Sequence, residues 1–492
     1  MRRYIKSSLI ILALLIGWSC EDQLDSPPFD EFAPENVLTN AKGIEAMLFN
    51  AYGFTNPQEG VHTLILPQET TTDIMIVSEG GVAGLNSPFE TFTWTADTQW
   101  LNEWWSRLYR AIRDANIVID NIDNFEGDTE RKSIVLAEAK FIRGSTYALL
   151  YNLYGPVVLR KASGEPTNKA RATEEEMLEF IETQLLEAIE DLPHPGSVPS
   201  YYKYGRATKG TAMAHLAKHY LNTRQWQSAA DMTQEVMDLG YYDLYPNFRQ
   251  LFFVSNEGNR EMMSVWPAIN QQGYHTTFPN GVASPDFYSA PNIPELVRDP
   301  AQMAAWATNW RVTDWVIDGM EANDDRALPA VDDYIDVTGS NLRYSDQRAN
   351  NRRYMKLFDP NGQGNFHGVD IPVIRYADML LSRAEALNEL NQSIGEAKDL
   401  IKQVRERAGL TDHTTIDAAS QGSALRNIIL SERAKEFIHE AKRREDLLRH
   451  DLFLSNAEAR GISVDGTHRR RFPIPAEEAN NNDLIVQDQG YN

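Results

Sequence analysis

The stretch "ATKGTAMAHLAKHYLNTRQWQSAADMTQEVMDLG" (Ala207–Gly240) decides the fold. Its first half reads as a helix rich in small residues. Gly210, Ala212, Ala214 and Ala217 leave room for a close neighbour. A turn is expected near Asn222, and a second helix then runs to Gly240, a residue that readily ends one. The unit is a helical hairpin.

The layout recurs in "DMLLSRAEALNELNQSIGEAKDLIKQVRERAGL" (Asp378–Leu410), and both stretches resemble tetratricopeptide units. Other helices lie upstream. In Leu101–Asp123, Leu101, Trp105, Leu108, Ile112, Ala115, Ile119 and Ile122 recur at steps of three and four and form one buried face. Glu138–Pro156 is a helix stopped by Gly155-Pro156. Thr173–Pro193 opens with Thr173 as N-cap and Glu176 at the third helical position, a capping box.

Two segments differ in character. Residues 255–370 are rich in Pro, Gly, Asn and aromatics, as in "NQQGYHTTFPNGVASPDFYSAPNIP", and residues 69–100 are a smaller example. Long irregular segments inside a compact fold are usually functional or disordered, and the aromatic content argues against disorder.

The chain of 492 residues uses cysteine once, at Cys20. Before it come basic Arg2, Arg3 and Lys6, then a short apolar run from Leu9 to Ile16, then Gly17 and Ser19. This is the layout of a secretory signal, and the run is too short for the roughly 20 residues that span a bilayer. An exported protein normally pairs its cysteines, so a single one at the cleavage point reads as a lipid anchor. Formal net charge is −23, and removing residues 1–19 takes away three positive charges and no negative ones, leaving −26. Nucleic acid or an anionic membrane surface would repel such a chain.

Taken in order, several stretches resemble the SusD/RagB family of nutrient-binding outer membrane lipoproteins. They include "SCEDQLDSPP", "GIEAMLFNAYGF", "WWSRLYRAIRDANIVIDNI", "AEAKFIRGSTYALLYNLYGPVVL", the hairpin above, "VTDWVIDGMEANDDR", "RYADMLLSRAEALNEL", "LSERAKEFIHEAKRREDLLRH" and "FPIPAEEANNNDLIVQDQGY". Asp488 stands where the family usually has Asn, with no functional consequence expected. The resemblance implies a mainly α fold: an α/α superhelix of four tetratricopeptide-like hairpins with a large irregular, loop-rich region. The organisation expected is a signal peptide (1–19), an anchor spacer (20–36), an N-terminal helical region (37–254), an insert carrying ligand loops (255–370) and a C-terminal helical region (371–492).

The resemblance also implies a function. A protein lipidated at Cys20 on the cell surface of the outer membrane would capture an oligosaccharide or polysaccharide. It would then deliver that cargo to a SusC-like TonB-dependent transporter. The same architecture binding peptides is the alternative, and an exported glycoside hydrolase or an adhesion protein are further rivals.

Catalytic motifs are not found. There is no G-x-S-x-G elbow, P-loop or G-x-G-x-x-G, and "HEAKR" at His439 lacks the second histidine of a zinc-protease helix. Close carboxylate pairs are inevitable among 70 acidic residues, so they do not argue for a glycosidase. An enzyme is therefore not expected. Glu440 and Arg444, four apart, are expected to pair within a structural helix. The oxygens of "EANDDR" (Glu321–Arg326) suit calcium, but the spacing is not that of an EF-hand. The favoured reading there is a solvated loop with Asp325 paired to Arg326 or another base, so no cofactor is expected.

Sugar recognition calls for flat apolar rings beside polar groups that take hydroxyls. Trp105, Tyr147, Tyr151, Tyr154, Trp226 and Trp315 read as packing, and Trp306 and Trp310, four apart, as residues that share a helical face. The aromatic candidates for ligand contact are Trp94, Trp100, Tyr274, Phe287, Tyr288 and Trp306. Asp73, in "TTTDIM", falls where the resemblance places a polar ligand-facing residue in starch-binding members.

Overall fold

The computed structural model describes residues 38–306 and 309–491. Cys20 and the segments 1–19 and 20–36 lie outside the described residues.

The scaffold helices are α1 (Ala41–Thr55), α2 (Val61–Thr70), α3 (Gln99–Asp120), α4 (Thr129–Tyr154), α5 (Glu174–Asp191), α6 (Lys209–Asn222), α7 (Trp226–Asp238), α8 (Tyr376–Leu390) and α9 (Ile394–Arg407). Leaving α2 aside, they pack in chain order: α1 on α3, α3 on α4, α4 on α5, and so on to α8 on α9. That series of eight helices, each packed on the next, is the helical scaffold expected. It runs straight across the insert, because α7 packs directly on α8.

Local chemistry sets the helix starts. Asn40 Oδ1 accepts from the Gly43 amide at 3.1 Å and caps α1. Thr173 and Glu176 form the capping box at α5. The small-residue stripe of α6 has a specific tenant. A Cβ on Gly210 would lie 2.3 Å from the Tyr242 hydroxyl oxygen, so only glycine lets that ring seat against the helix.

The insert is more ordered than its composition suggests. Its strands are β2 (Met262–Trp266), β3 (Phe287–Ala290), β4 (Ile293–Val297), β5 (Asn309–Val312), β6 (Ala330–Val331), β7 (Asp333–Asp336), β8 (Asn341–Arg343) and β9 (Arg353–Tyr354). They form small sheets, and two of these reach outside the insert. β1 (Met75–Ser78) pairs with β5, and β10 (Ile371–Arg375) pairs with β2. Trp306 and Trp310 therefore do not share a helix: Trp306 is in irregular chain and Trp310 is on β5.

A buried ion network ties the insert to the C-terminal helices α10 (Ser423–Glu436) and α11 (Arg443–Arg449). Arg375 Nη1 donates to Glu261 at 2.5 Å and to Glu436 at 3.0 Å, while its Nε donates to Glu440 at 2.9 Å. Arg407 donates to Glu261 at 2.9 Å and to Glu436, and Lys356 Nζ meets Glu440 at 2.5 Å. Arg326 takes Asp324 and Glu432, each at 2.8 Å.

Two expected pairings are thereby corrected. Arg326 turns to Asp324 rather than Asp325, because the chain buries the former with it. Glu440 does not meet Arg444, because the helix breaks between Glu436 and Arg443. His439 and Ala441 there have φ of 67° and 57°. The buried Glu69 carboxylate accepts their amides, at 3.4 and 2.7 Å. This break turns Glu440 inward onto Arg375 and Lys356. Arg444 instead donates to the carbonyls of Asn152 and Arg470.

Candidate functional site

The small sheet β1/β5 has two unlike faces. Met75, Val77, Trp310 and Val312 alternate inward and are buried in the core. Ile76, Ser78 and Arg311 point the other way, with Ile76 and Arg311 directly opposite. The outer face thus carries polar groups on a rigid, well-packed backing.

Asp73 stands just before β1, and the short helix Asp314–Asp318 follows β5. The Asp73 carbonyl accepts from Thr313 Oγ1 at 2.6 Å and from Trp315 Nε1. Its carboxylate takes a two-pronged pair from Arg443, at 2.8 and 2.9 Å, and a hydrogen bond from Asn456 at 2.7 Å. Burial pushes the Asp73 carboxyl up, but Arg443 and Asn456 outweigh it and hold the group below the usual range. Asp73 is ionised and fixed in direction, and its side chain keeps 15% exposure.

Trp315 is 43% exposed, and the Arg443 guanidinium lies 5.6 Å from its ring centroid. This corrects its reading as a packing residue. The indole hangs its N–H on Asp73 and leaves much of its ring to solvent.

Near Asp73, Asn456 Oδ1 and Arg460 Nε are sheltered and make no hydrogen bond among the described residues, and farther along the same face of the sheet neither do Ser78 Oγ and Arg311 Nε and Nη1. Natural proteins pair most such atoms, so a cluster on one strip marks a place where a ligand's polar groups would be met. Arg460 also donates to the Thr71 carbonyl at 2.8 Å. Glu90 accepts from the Asn86 side chain at 3.1 Å and from the Val77 amide. Burial raises the Glu90 carboxyl, while Arg311 and Arg460 pull it down.

The residues expected from sequence fall into three groups. Asp73 is on the strip. Trp94, Trp100 and Phe287 are corrected to core residues, since a ring without an open face cannot stack on a sugar. Trp94 is wholly buried between Phe92 and Phe472, with centroids at 4.9 and 5.2 Å, and its Nε1 donates to the Tyr491 hydroxyl at 2.6 Å. Trp100 stacks on Phe89 at 5.9 Å, and Phe287 faces inward from β3. Tyr274, Tyr288 and Trp306 keep exposed surface but lie elsewhere. Tyr274 closes a turn with Ile269, and Tyr288 is on β3. Trp306 is half-buried behind the sheet against Trp310 and His62, its Nε1 donating to Asn365 at 3.1 Å.

A cavity of about 340 Å³, open to the surface beside Val198 and Tyr204, lies among the scaffold helices, lined by Phe141, His215, Tyr242 and Trp266 among others. Its charged groups are already committed: Lys218 to Glu445 and Asp378, Arg206 to Glu138. Trp315 leaves an exposed ring at the Asp73 end of β1/β5. No group of acids, histidines or cysteines among the described residues has a metal-binding arrangement.

Comparison with known proteins agrees with this architecture. A model described as SusD family matches residues 320–491, and one described as starch-binding, associating with outer membrane, matches residues 24–221. Both matched segments are thus similar to SusD proteins. It is 25% identical to SusD-like protein P2 of Formosa agariphila over the full length of both. It is 24% identical to the starch-binding protein SusD of Bacteroides thetaiotaomicron, over 82% of this chain and 80% of that one. Among solved structures, a laminarin-binding SusD-like protein superposes with a TM-score of 0.76 at 24% identity, covering 92% of this chain and all of that one. A surface glycan-binding protein A of B. thetaiotaomicron, solved with laminarihexaose, gives 0.73 at 19% identity over 91% and 99% of the two chains. The superpositions establish the SusD-like fold, a helical scaffold holding a loop-rich insert.

Proposed function

We propose that this SusD-like chain is a surface glycan-binding protein that takes its ligand on the outer face of β1/β5 and leaves it chemically unchanged. The observation that carries the reading is Trp315, an exposed indole fixed on the Asp73 carbonyl with Arg443 beside its ring. A sugar ring would lay its C–H face on the indole, which has few torsions to immobilise. Asp73 and Asn456 would take hydroxyls, and the Arg443 pair fixes Asp73 in direction before the ligand arrives. The names of the starch-binding and laminarin-binding relatives support this reading.

Anchoring through a lipid on Cys20, and hand-over to a TonB-dependent transporter in the same membrane, complete the proposal. Tethering both partners in one membrane raises their effective concentration, so each step can be weak.

Affinity electrophoresis through gels containing starch or laminarin tests the reading. The protein is expected to be retarded by at least one of them, and Trp315→Ala is expected to weaken retention at least tenfold. Incubation with the retained polysaccharide is expected to release no new reducing ends. Equal retention of the variant, or steady release of reducing ends, would overturn the proposal.

A further inference from the structure

The strip is basic on an acidic protein. Arg311, Arg348, Arg353, Arg443 and Arg460 gather there with Asp73, Glu79 and Glu90, in a chain of formal charge −23. Four of these cations have partners. Arg443 pairs with Asp73, Arg348 with Glu79, Arg353 lies over the Tyr344 ring, and Arg460 donates to the Thr71 carbonyl.

Arg311 differs. It is 5% exposed, yet its Nε and Nη1 make no hydrogen bond among the described residues. Ser78, on the same face of the sheet, also has an unpaired sheltered hydroxyl. Burial, with Arg348 and Arg353 nearby, pulls Arg311 down to about 10, and Glu79 and Glu90 offset only part of this. A sheltered guanidinium with unmade hydrogen bonds is costly.

We propose that Arg311, with Ser78, is the subsite for an oxyanion on the glycan, so that the strip selects saccharides bearing a carboxylate or a sulfate ester. This rests on the glycan-binding reading and specifies its ligand class. A guanidinium presents paired N–H groups to two oxygens of such an anion, and the hydroxyl of Ser78 adds a third donor. The neighbouring Arg348–Glu79 pair is at the surface, with side-chain exposures of 46% and 48%, and parts at little cost when an anion arrives. The overall negative charge repels anionic polymers in general, so the local basic strip confers selectivity rather than indiscriminate attraction.

The test uses affinity electrophoresis and titration calorimetry of wild type, Arg311→Met and Arg311→Lys on four polymers: starch, laminarin, polygalacturonate and a carrageenan. Circular dichroism confirms that each variant is folded. Wild type is expected to bind polygalacturonate or the carrageenan more tightly than the neutral glucans, and the member preferred separates carboxylate from sulfate. That binding is expected to weaken when NaCl rises from 50 to 500 mM. Arg311→Met is expected to lose about tenfold to hundredfold in affinity for the anionic polymer, and Arg311→Lys to recover part of it. The salt response of wild type holds the proposal open to refutation even if Arg311→Met does not fold. Wild type retained by neutral glucans alone, or salt-independent binding, overturns the oxyanion subsite and leaves glycan binding standing. Retention by none of the four overturns both.

Discussion

A single methyl group behind the sheet should unsettle it. Gly281 lies in the short helix Phe278–Val282, packed against the inner face of β5. A Cβ there would stand 2.2 Å from Trp310 Cε2 and 2.4 Å from Cζ2, where carbon atoms prefer about 3.5–4.0 Å. Trp310 has no room to retreat. It is fully buried, with Phe278 at 4.7 Å, His62 at 5.8 Å and Trp306 at 6.1 Å between centroids. Gly281→Ala has an opposing gain, because alanine favours a helix over glycine by about 0.5–1 kcal/mol. Overpacking a core costs about 1–3 kcal/mol, and the upper part of that range applies where the overlap exceeds 1 Å against an immovable indole. A net loss of about 2 kcal/mol is expected. Urea unfolding followed by circular dichroism measures it. A double-mutant cycle with Trp310→Phe isolates the clash, since the smaller ring should return part of the loss. If Gly281→Ala were as stable as wild type or more so, the close packing of helix, indole and sheet would be refuted.

Other outcomes follow from the same geometry. Trp94→Ala empties a fully buried site and should cost about 3–5 kcal/mol, while the folded fraction keeps its polysaccharide retention. Retention lost at unchanged stability would return Trp94 to the ligand site. Arg375→Met leaves Glu261, Glu436 and Glu440 facing one another and should cost about 3–5 kcal/mol in urea unfolding; a neutral result would mean that the network is not closed. Burial pushes Glu69 up to about 7, above its unfolded value near 4.5. Between those values the native state holds a proton that the unfolded state has lost. The contribution of Glu69 to stability therefore falls by about 3 kcal/mol as pH rises from 4.5 to 7. Stability of Glu69→Gln relative to wild type should rise by that order between pH 5 and pH 8, and an unchanged difference would rule the titration out.

How much of this was legible in the sequence depended on range. Helices α3 to α9 announced themselves through apolar steps of three and four, the Thr173–Glu176 box and the Gly210 stripe, all local signals. Asp73 was legible only through resemblance. The rest is non-local. Trp94 sits in an irregular stretch that reads as a ligand loop, yet Phe472 and Tyr491 from the far end of the chain cover it. Trp315 misleads in the opposite direction. A tryptophan on a short helix suggests packing, but its N–H is drawn to a carbonyl more than 200 residues away and its ring is left outside. Glu440 and Arg444 have good helical spacing, and Glu69 breaks that helix from another part of the chain. Arg311 carries no sequence signal at all. Its significance appears only when β5 meets β1 and the alternation of faces is known.

The central claim, that an indole-bearing strip on β1/β5 holds the glycan, is tested most directly by a crystal structure of the protein with an oligosaccharide cut from the polysaccharide that retards it most. A sugar ring is expected on Trp315, with hydroxyls at Asp73 and Asn456. Density for the sugar inside the helical cavity or against Trp306, with Trp315 bare, would contradict it.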